Sequence, residues 1–201
     1  MTKEIYEKII KEVGGVIIKV ARQNDWLWFY DLHQKEVVRG AEKLLKLYKA
    51  DRKIVMLAAW LHDISKFKIK NKKDTAKFHK THHLDSARLA REILAKYNLP
   101  EAEINKICDS ILRHRNTKPY LARNIEEKIL AVADTLSHFT GVFYFLHFKF
   151  HPEDKVEEMV RLHLEKLKRD WRDLGLLPAA RSLVRSEYEA IFKMHKNYLK
   201  A

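Results

Sequence analysis

Apolar residues recur at spacings of three and four along almost the entire chain, the interval that stacks side chains on one face of an α-helix. The pattern predicts a first helix over "KEIYEKIIKEVGGVIIKVARQ", weakened at Gly14 and Gly15. The aromatic stretch "DWLWFYD" follows, then a helix "LHQKEVVRGAEKLLKLY" with His33, Val37, Ala41 and Leu44 or Leu45 on one face. A third helix, "RKIVMLAAWLHDI", is apolar until it ends in His62 and Asp63. Residues 66–80 read as a lysine-rich loop. A fourth helix, "HHLDSARLAREILAKY", stops before Pro100, and a fifth, "EAEINKICDSILRHR", runs into the turn "NTKPY".

The sixth helix is "NIEEKILAVADTLSHF". "GVFYFLHFKFH" fits helix or strand, and its helical surroundings favour helix. Beyond Pro152 an amphipathic helix places Val156, Val160, His163, Leu167, Trp171 and Leu174 on one face. "LGLLP" breaks it, and a last helix runs to the C-terminus. The expected fold class is all-α: one helical domain over residues 1–201, with no internal repeat and no linker.

Composition narrows this further. Five Gly and four Pro leave few places to interrupt helices. No stretch approaches the roughly 18 apolar residues of a membrane span, and "MTKEIYEKII" lacks an apolar signal core. The lone cysteine, Cys108, excludes an internal disulfide and a cysteine-based metal site. A cytoplasmic protein with no membrane partner is expected. The formal charge of +13 attracts polyanions such as nucleotides or nucleic acid, although a solvated lysine-rich surface explains it equally well.

Several polar residues intrude on the apolar faces. His33, His62 with Asp63, His114 and Asp134 each interrupt one, and His82 opens the fourth helix on the side of Ser86. A lone buried histidine is more often a satisfied core residue than a ligand. Five helices each offering a His or Asp are explained most simply by a divalent cation, because it turns costly buried groups into favourable ligands. Imidazole with carboxylate suits one or two ions among Fe, Mn, Co, Ni, Mg or Zn, and the absence of cysteine ligands argues against a structural zinc site.

The order of these residues resembles the HD superfamily of metal-dependent phosphohydrolases, named for an adjacent His-Asp pair, here His62-Asp63 in "LHDISK". His33 in "HQKEVVRGA", His82 in "HHLDSA", His114 in "ILRHR" and Asp134 in "AVADTL" complete the series over about residues 30–138. The resemblance implies an HD core of about residues 26–138 with a C-terminal helical extension over 140–201. It implies that His33, His62, Asp63 and Asp134 bind a first metal and that His82 and His114 add a second, bridged by Asp63. Charge and position then assign the catalytic roles: Asp63 is placed to orient a metal-acidified water, Lys66 one turn on to offer its ammonium to a phosphate oxygen, and Arg115, where the turn begins, to contact substrate phosphate. The pattern is most similar to the symmetrical diadenosine-tetraphosphate hydrolases, with Arg115 standing where those enzymes tend to carry a small hydroxyl residue.

The expected function is therefore hydrolysis of a phosphomonoester or phosphoanhydride, in a nucleotide or dinucleoside polyphosphate. The alternatives are an HD nuclease acting on single-stranded nucleic acid and a non-catalytic metal-binding sensor. His83 competes with His82 as the ligand, and His79 reads as a loop residue. Lys68, Lys70, Lys72, Lys73, Lys77 and Lys80 are either substrate contacts or a solvated loop. Arg113 points off the His114 face, and Ser86 reads as a close-packing residue. His138, His147, His151, His163 and His195 read as packing or surface residues, and Trp26, Trp28 and Tyr30 as core. Whether the C-terminal helices form a homodimer or cap the pocket stays open.

Overall fold

A computed structural model describes residues 2–68, 75–150 and 154–200. Eleven α-helices occur among them: α1 (Lys3–Gln23), α2 (Leu27–Phe29), α3 (Lys35–Leu47), α4 (Arg52–Leu61), α5 (Thr75–Leu94), α6 (Glu101–Arg113), α7 (Ile125–Thr140), α8 (Phe143–Phe150), α9 (Val156–Leu174), α10 (Pro178–Leu183) and α11 (Arg185–Tyr198). No strand is present among the described residues, and the fold is all-α. None of these helices is long and apolar enough to cross a membrane.

The helix that leads into His62 and Asp63, α4, and the helix that carries Asp134, α7, are deeply buried. In α4, Ile54 through Ala59 and Leu61 are all buried, so the helix is apolar on every face and sits inside the bundle. In α7, Ile129 through Ala133 and Leu136 are buried. Each start is fixed by a side chain. Asp51 accepts a hydrogen bond from the Lys53 amide at 2.9 Å, and Asn124 accepts one from the Glu127 amide at 2.9 Å. Glu127 in turn accepts the Asn124 amide at 3.4 Å, closing a capping box around the start of α7, and accepts the preceding Arg123 amide at 2.6 Å as well. The α1 and α3 helices pack on α4, α3 also packs on α7, and α9 lies against α7 and α11.

Two glycines permit close helix approach. A Cβ on Gly14 would stand 3.1 Å from the Trp60 ring, so Gly14 receives that side chain, and α1 runs through Gly14 and Gly15 without a break. A Cβ on Gly40 would lie 3.3 Å from the Ala133 carbonyl oxygen, which brings α3 and α7 together beside the site.

Other boundaries also differ from expectation. Helix α5 already begins at Thr75, and Lys66–Lys68 form a 3-10 turn, so the lysine-rich stretch is not a continuous loop. Lysine is a good helix former, which its charge obscures. Residues 69–74 lie outside the described residues, as do His151 and the side chains of Lys77, His79, Lys80 and His147. The apolar segment after Gly141 is helical, as α8. The C-terminal helix is two, α10 and α11, separated at Val184 with φ −140° and ψ 20°. Val156 at the start of α9 is exposed, whereas Asp170 joins the buried face.

Candidate metal centre

Helix α4 ends at Leu61, and His62 and Asp63 stand on the turn that follows, both fully buried. The His62 Nδ1–H donates to the Ala59 carbonyl at 2.9 Å. Gln34 Nε2 donates to the same carbonyl at 2.7 Å and so ties to α4 the π-helical turn Tyr30–Gln34, which carries His33. Past Asp63, Ser65 Oγ lies 2.9 Å from Ser86 Oγ and donates to the His82 carbonyl at 3.0 Å, fastening the turn to α5. His114 caps α6 and donates from Nδ1 to the Ile111 carbonyl at 2.6 Å.

These anchors aim six side chains at one point. His33 Nε2 lies 3.1 Å from Asp134 Oδ1 and 3.3 Å from Asp63 Oδ2, and His62 Nε2 lies 3.4 Å from Asp63 Oδ2. The other Asp63 oxygen, Oδ1, faces His82 Nε2 at 3.4 Å and His114 Nε2 at 3.9 Å. Two groups result, His33–His62–Asp134 and Asp63–His82–His114, each with its ligand atoms within 4.8 Å of one another. Donors about 2.1 Å from a common ion stand about 3.4 Å apart at tetrahedral angles. The observed spacings match that edge length.

Proton accounting shows what belongs between them. Ser137 Oγ donates its single hydrogen to the Asp134 carbonyl at 2.7 Å, so at 2.9 Å from His33 Nδ1 it accepts. With Nδ1 the donor on His33, His62 and His114, all three Nε2 lone pairs turn inward, joined by the carboxylate oxygens. His33 and His62 then oppose two lone pairs at 3.4 Å. Asp63 Oδ1 is buried with no hydrogen-bond partner among the described residues. The C-termini of α4 and α6, the negative ends of their dipoles, close on the same point. A convergence of acceptors at two helix C-termini fits a divalent cation and little else.

Residues 30–139 match the family model described as HD domain, more than half of the chain. The chain belongs to the HD-domain family. No curated protein and no solved structure matches it. HD domains bind divalent metals, and the family is generally one of metal-dependent phosphohydrolases.

The charges at this HD site follow from burial and proximity. Burial pushes the Asp63 carboxyl up, but Lys66, His62 and His82 outweigh it and hold it well below the usual carboxylate range. Burial also opposes ionisation of Asp134, and His33 overcomes it. Burial, then His62, takes His114 down to about 4, and burial followed by Lys66 lowers His82. His33 is raised, because its bonds to Asp134 and Asp63 outweigh burial. A proton on its Nε2 occupies the place a cation would take.

The structure brings His33, His62, Asp63, His82, His114 and Asp134 together. His83 lies outside both groups, its ring edge-on to Tyr120 at 5.4 Å. Lys66 Nζ is 2.7 Å from Asp63 Oδ2, so its nearest charged neighbour is that carboxylate. Arg113 donates to the Leu121 carbonyl at 3.1 Å and pairs with Glu127. Arg115 instead lines a cavity of about 220 Å³ beside the ligand cluster, along with His114, Asp134 and His138.

The opposite wall of that cavity is α9, with Lys166, Arg169, Asp170 and Arg172. Asp170 accepts from Tyr144 Oη at 2.8 Å and lies 3.0 Å from His138 Nδ1, while the His138 ring stacks on His33 at 5.6 Å. Sequence reasoning missed this wall and missed Ser137. A signal existed, since Asp170 falls three residues after Leu167 and four before Leu174, on the apolar stripe.

Proposed function

We propose that the protein is a metal-dependent phosphohydrolase acting on a phosphate ester or anhydride of a nucleotide, with dinucleoside polyphosphates the leading candidates. The observation that carries this is Asp63, whose two oxygens face two separate groups of inward-turned histidines. His33, His62, Asp63 and Asp134 would hold one ion, and His82, His114 and Asp63 a second. Such ions supply Lewis acidity, lowering the pKa of water and stabilising charge on phosphoryl oxygens.

The chain's own residues do the rest. Asp63 stays ionised because Lys66 and the histidines favour its charge. Lys66 holds Asp63 Oδ2 in place and, with 15% of its side chain exposed, presents its remaining N–H bonds toward solvent and an arriving phosphate. Ser137, Ala59 and Ile111 fix the three imidazoles, so no reorganisation is needed when substrate binds. In the reaction the oxygen of water forms a bond to phosphorus and the bond from phosphorus to the leaving oxygen breaks. One proton of the water passes to solvent, and the leaving oxygen takes one up.

Metal analysis of the purified protein tests this reading when followed by a screen of nucleotides, dinucleoside polyphosphates and short single-stranded oligonucleotides. Metal-dependent release of phosphate or nucleotide supports it. The charge of +13 favours a nuclease as the second reading, and cleavage confined to oligonucleotides with steep salt dependence would install it instead. A metal-loaded sample inert toward every substrate would leave a binding role alone.

A further inference from the structure

Helix α9 lies beyond the span that matches the HD family, yet it forms one wall of the cavity at the ligand cluster. The opposite wall includes His114 and Asp134, one from each ligand group, so the cavity opens onto both. Its cations are not equivalent. Lys166 Nζ lies 3.2 Å from both Asp170 oxygens, and Arg172 is hydrogen-bonded to Asp173. Asp173 also accepts from Asn116 at 3.1 Å, which pins this rim to the turn after α6. Arg169 is different. It is exposed, lines the cavity and makes no hydrogen bond or ion pair with any described residue.

An unpaired guanidinium across a cleft from a cation centre is suited to a ligand whose negative charge extends beyond the group held at the centre. The cavity, about 220 Å³, is smaller than sites that enclose a whole drug-sized ligand, which begin at about 300 Å³. It has room for a phosphate chain and leaves a base or sugar outside. We propose that this cavity is a subsite for the non-reacting phosphates of a polyphosphate substrate, gripped by Arg169 from α9 and Arg115 from the turn facing it. The inference rests on the phosphohydrolase reading and deepens it: the preferred substrates are phosphoanhydrides, with phosphomonoesters bound only at the ligand cluster.

The test is direct binding to the metal-loaded protein, measured calorimetrically with inorganic tripolyphosphate and with orthophosphate. Excess resident metal is kept present so that chelation does not strip the site. The wild type binds tripolyphosphate at least about tenfold more tightly than orthophosphate, the margin of one charge-assisted phosphate contact. Arg169→Ala removes that margin and leaves orthophosphate binding unchanged, while Arg169→Lys keeps part of it. Arg161→Ala, on an exposed residue of the same helix paired with Glu157, changes neither. Undiminished tripolyphosphate binding by Arg169→Ala, or a wild type that does not discriminate, overturns the subsite. The readout is binding, so a protein inert toward every phosphate ester but showing the Arg169-dependent margin sinks the hydrolase reading alone. Turnover with no such margin sinks the subsite alone.

Discussion

Ser137 Oγ sits 2.9 Å from His33 Nδ1, with its own hydrogen already committed to the Asp134 carbonyl at 2.7 Å. One hydroxyl thereby decides which nitrogen of His33 carries a proton and aims the other at Asp63 and Asp134. Removing it frees the ring to turn and to change tautomer. Ser137→Ala is expected to weaken metal binding by about 10- to 100-fold with little change in helicity. Competition against a chromophoric chelator measures this, and unaltered affinity would show that the hydroxyl does not orient the ring.

Asp63 turns Oδ2 toward His33 and His62 and Oδ1 toward His82 and His114. Asp63→Asn keeps the shape but removes the charge. It is expected to lower bound metal and to reduce turnover by about a hundred- to a thousandfold, the cost of losing one central electrostatic group in enzyme active sites. His62→Ala should behave similarly. Metal content and circular dichroism on the same samples separate loss of ligand from loss of fold. Full metal-stimulated activity in either variant would refute the site.

Gly40 and Ala133 set the distance between α3 and α7. Gly40→Val forces a branched side chain against the α7 backbone, where a Cβ alone would stand 3.3 Å from the Ala133 oxygen. The expected cost is about 1–3 kcal/mol. A lower midpoint in urea and weaker metal binding should appear together, because the same displacement carries His33 away from Asp134. A stable variant with normal metal binding would show that the approach is not tight.

Asp170 couples stability to acid. Burial raises its carboxyl, but Lys166 and His138, with Tyr144, bring it from 3.8 down to about 2. The folded value lies below the unfolded one, so the stabilisation is present above about pH 4 and is lost as pH falls toward 2. The difference corresponds to roughly 2 kcal/mol. Asp170→Asn should lose about that much at neutral pH, and its stability should change less between pH 4 and 2 than that of the wild type. Parallel urea midpoints across that range provide the measurement, and identical slopes would remove Asp170 from the account.

Much of this was legible before any coordinates. A histidine or aspartate on an apolar face is expensive unless something binds it, and five helices repeating that anomaly in order single out His33, His62–Asp63, His82, His114 and Asp134. Ser137 was not legible, because its role depends on counting the protons of one hydroxyl between two partners. Nor was the α9 wall, since which helix crosses the mouth of a cavity is a matter of tertiary packing. The continuity of α1 through Gly14 was hidden for the same reason: the compensating partner, Trp60, is far away in the chain. Asp170 was readable in principle from its place on the α9 stripe, but a charge in a lysine- and glutamate-rich helix is easily taken for solvated surface.

An ion held by the inward lone pairs of His33, His62 and His114 would bear on the life of the protein as well as on its chemistry. An ion that binds this cluster only when folded adds RT ln(1 + [M]/Kd) to the folding free energy, about 2.7 kcal/mol at a hundredfold excess over Kd. Starvation for the ion would then shorten the half-life of the chain under proteolysis, so its abundance would track supply with no dedicated sensor.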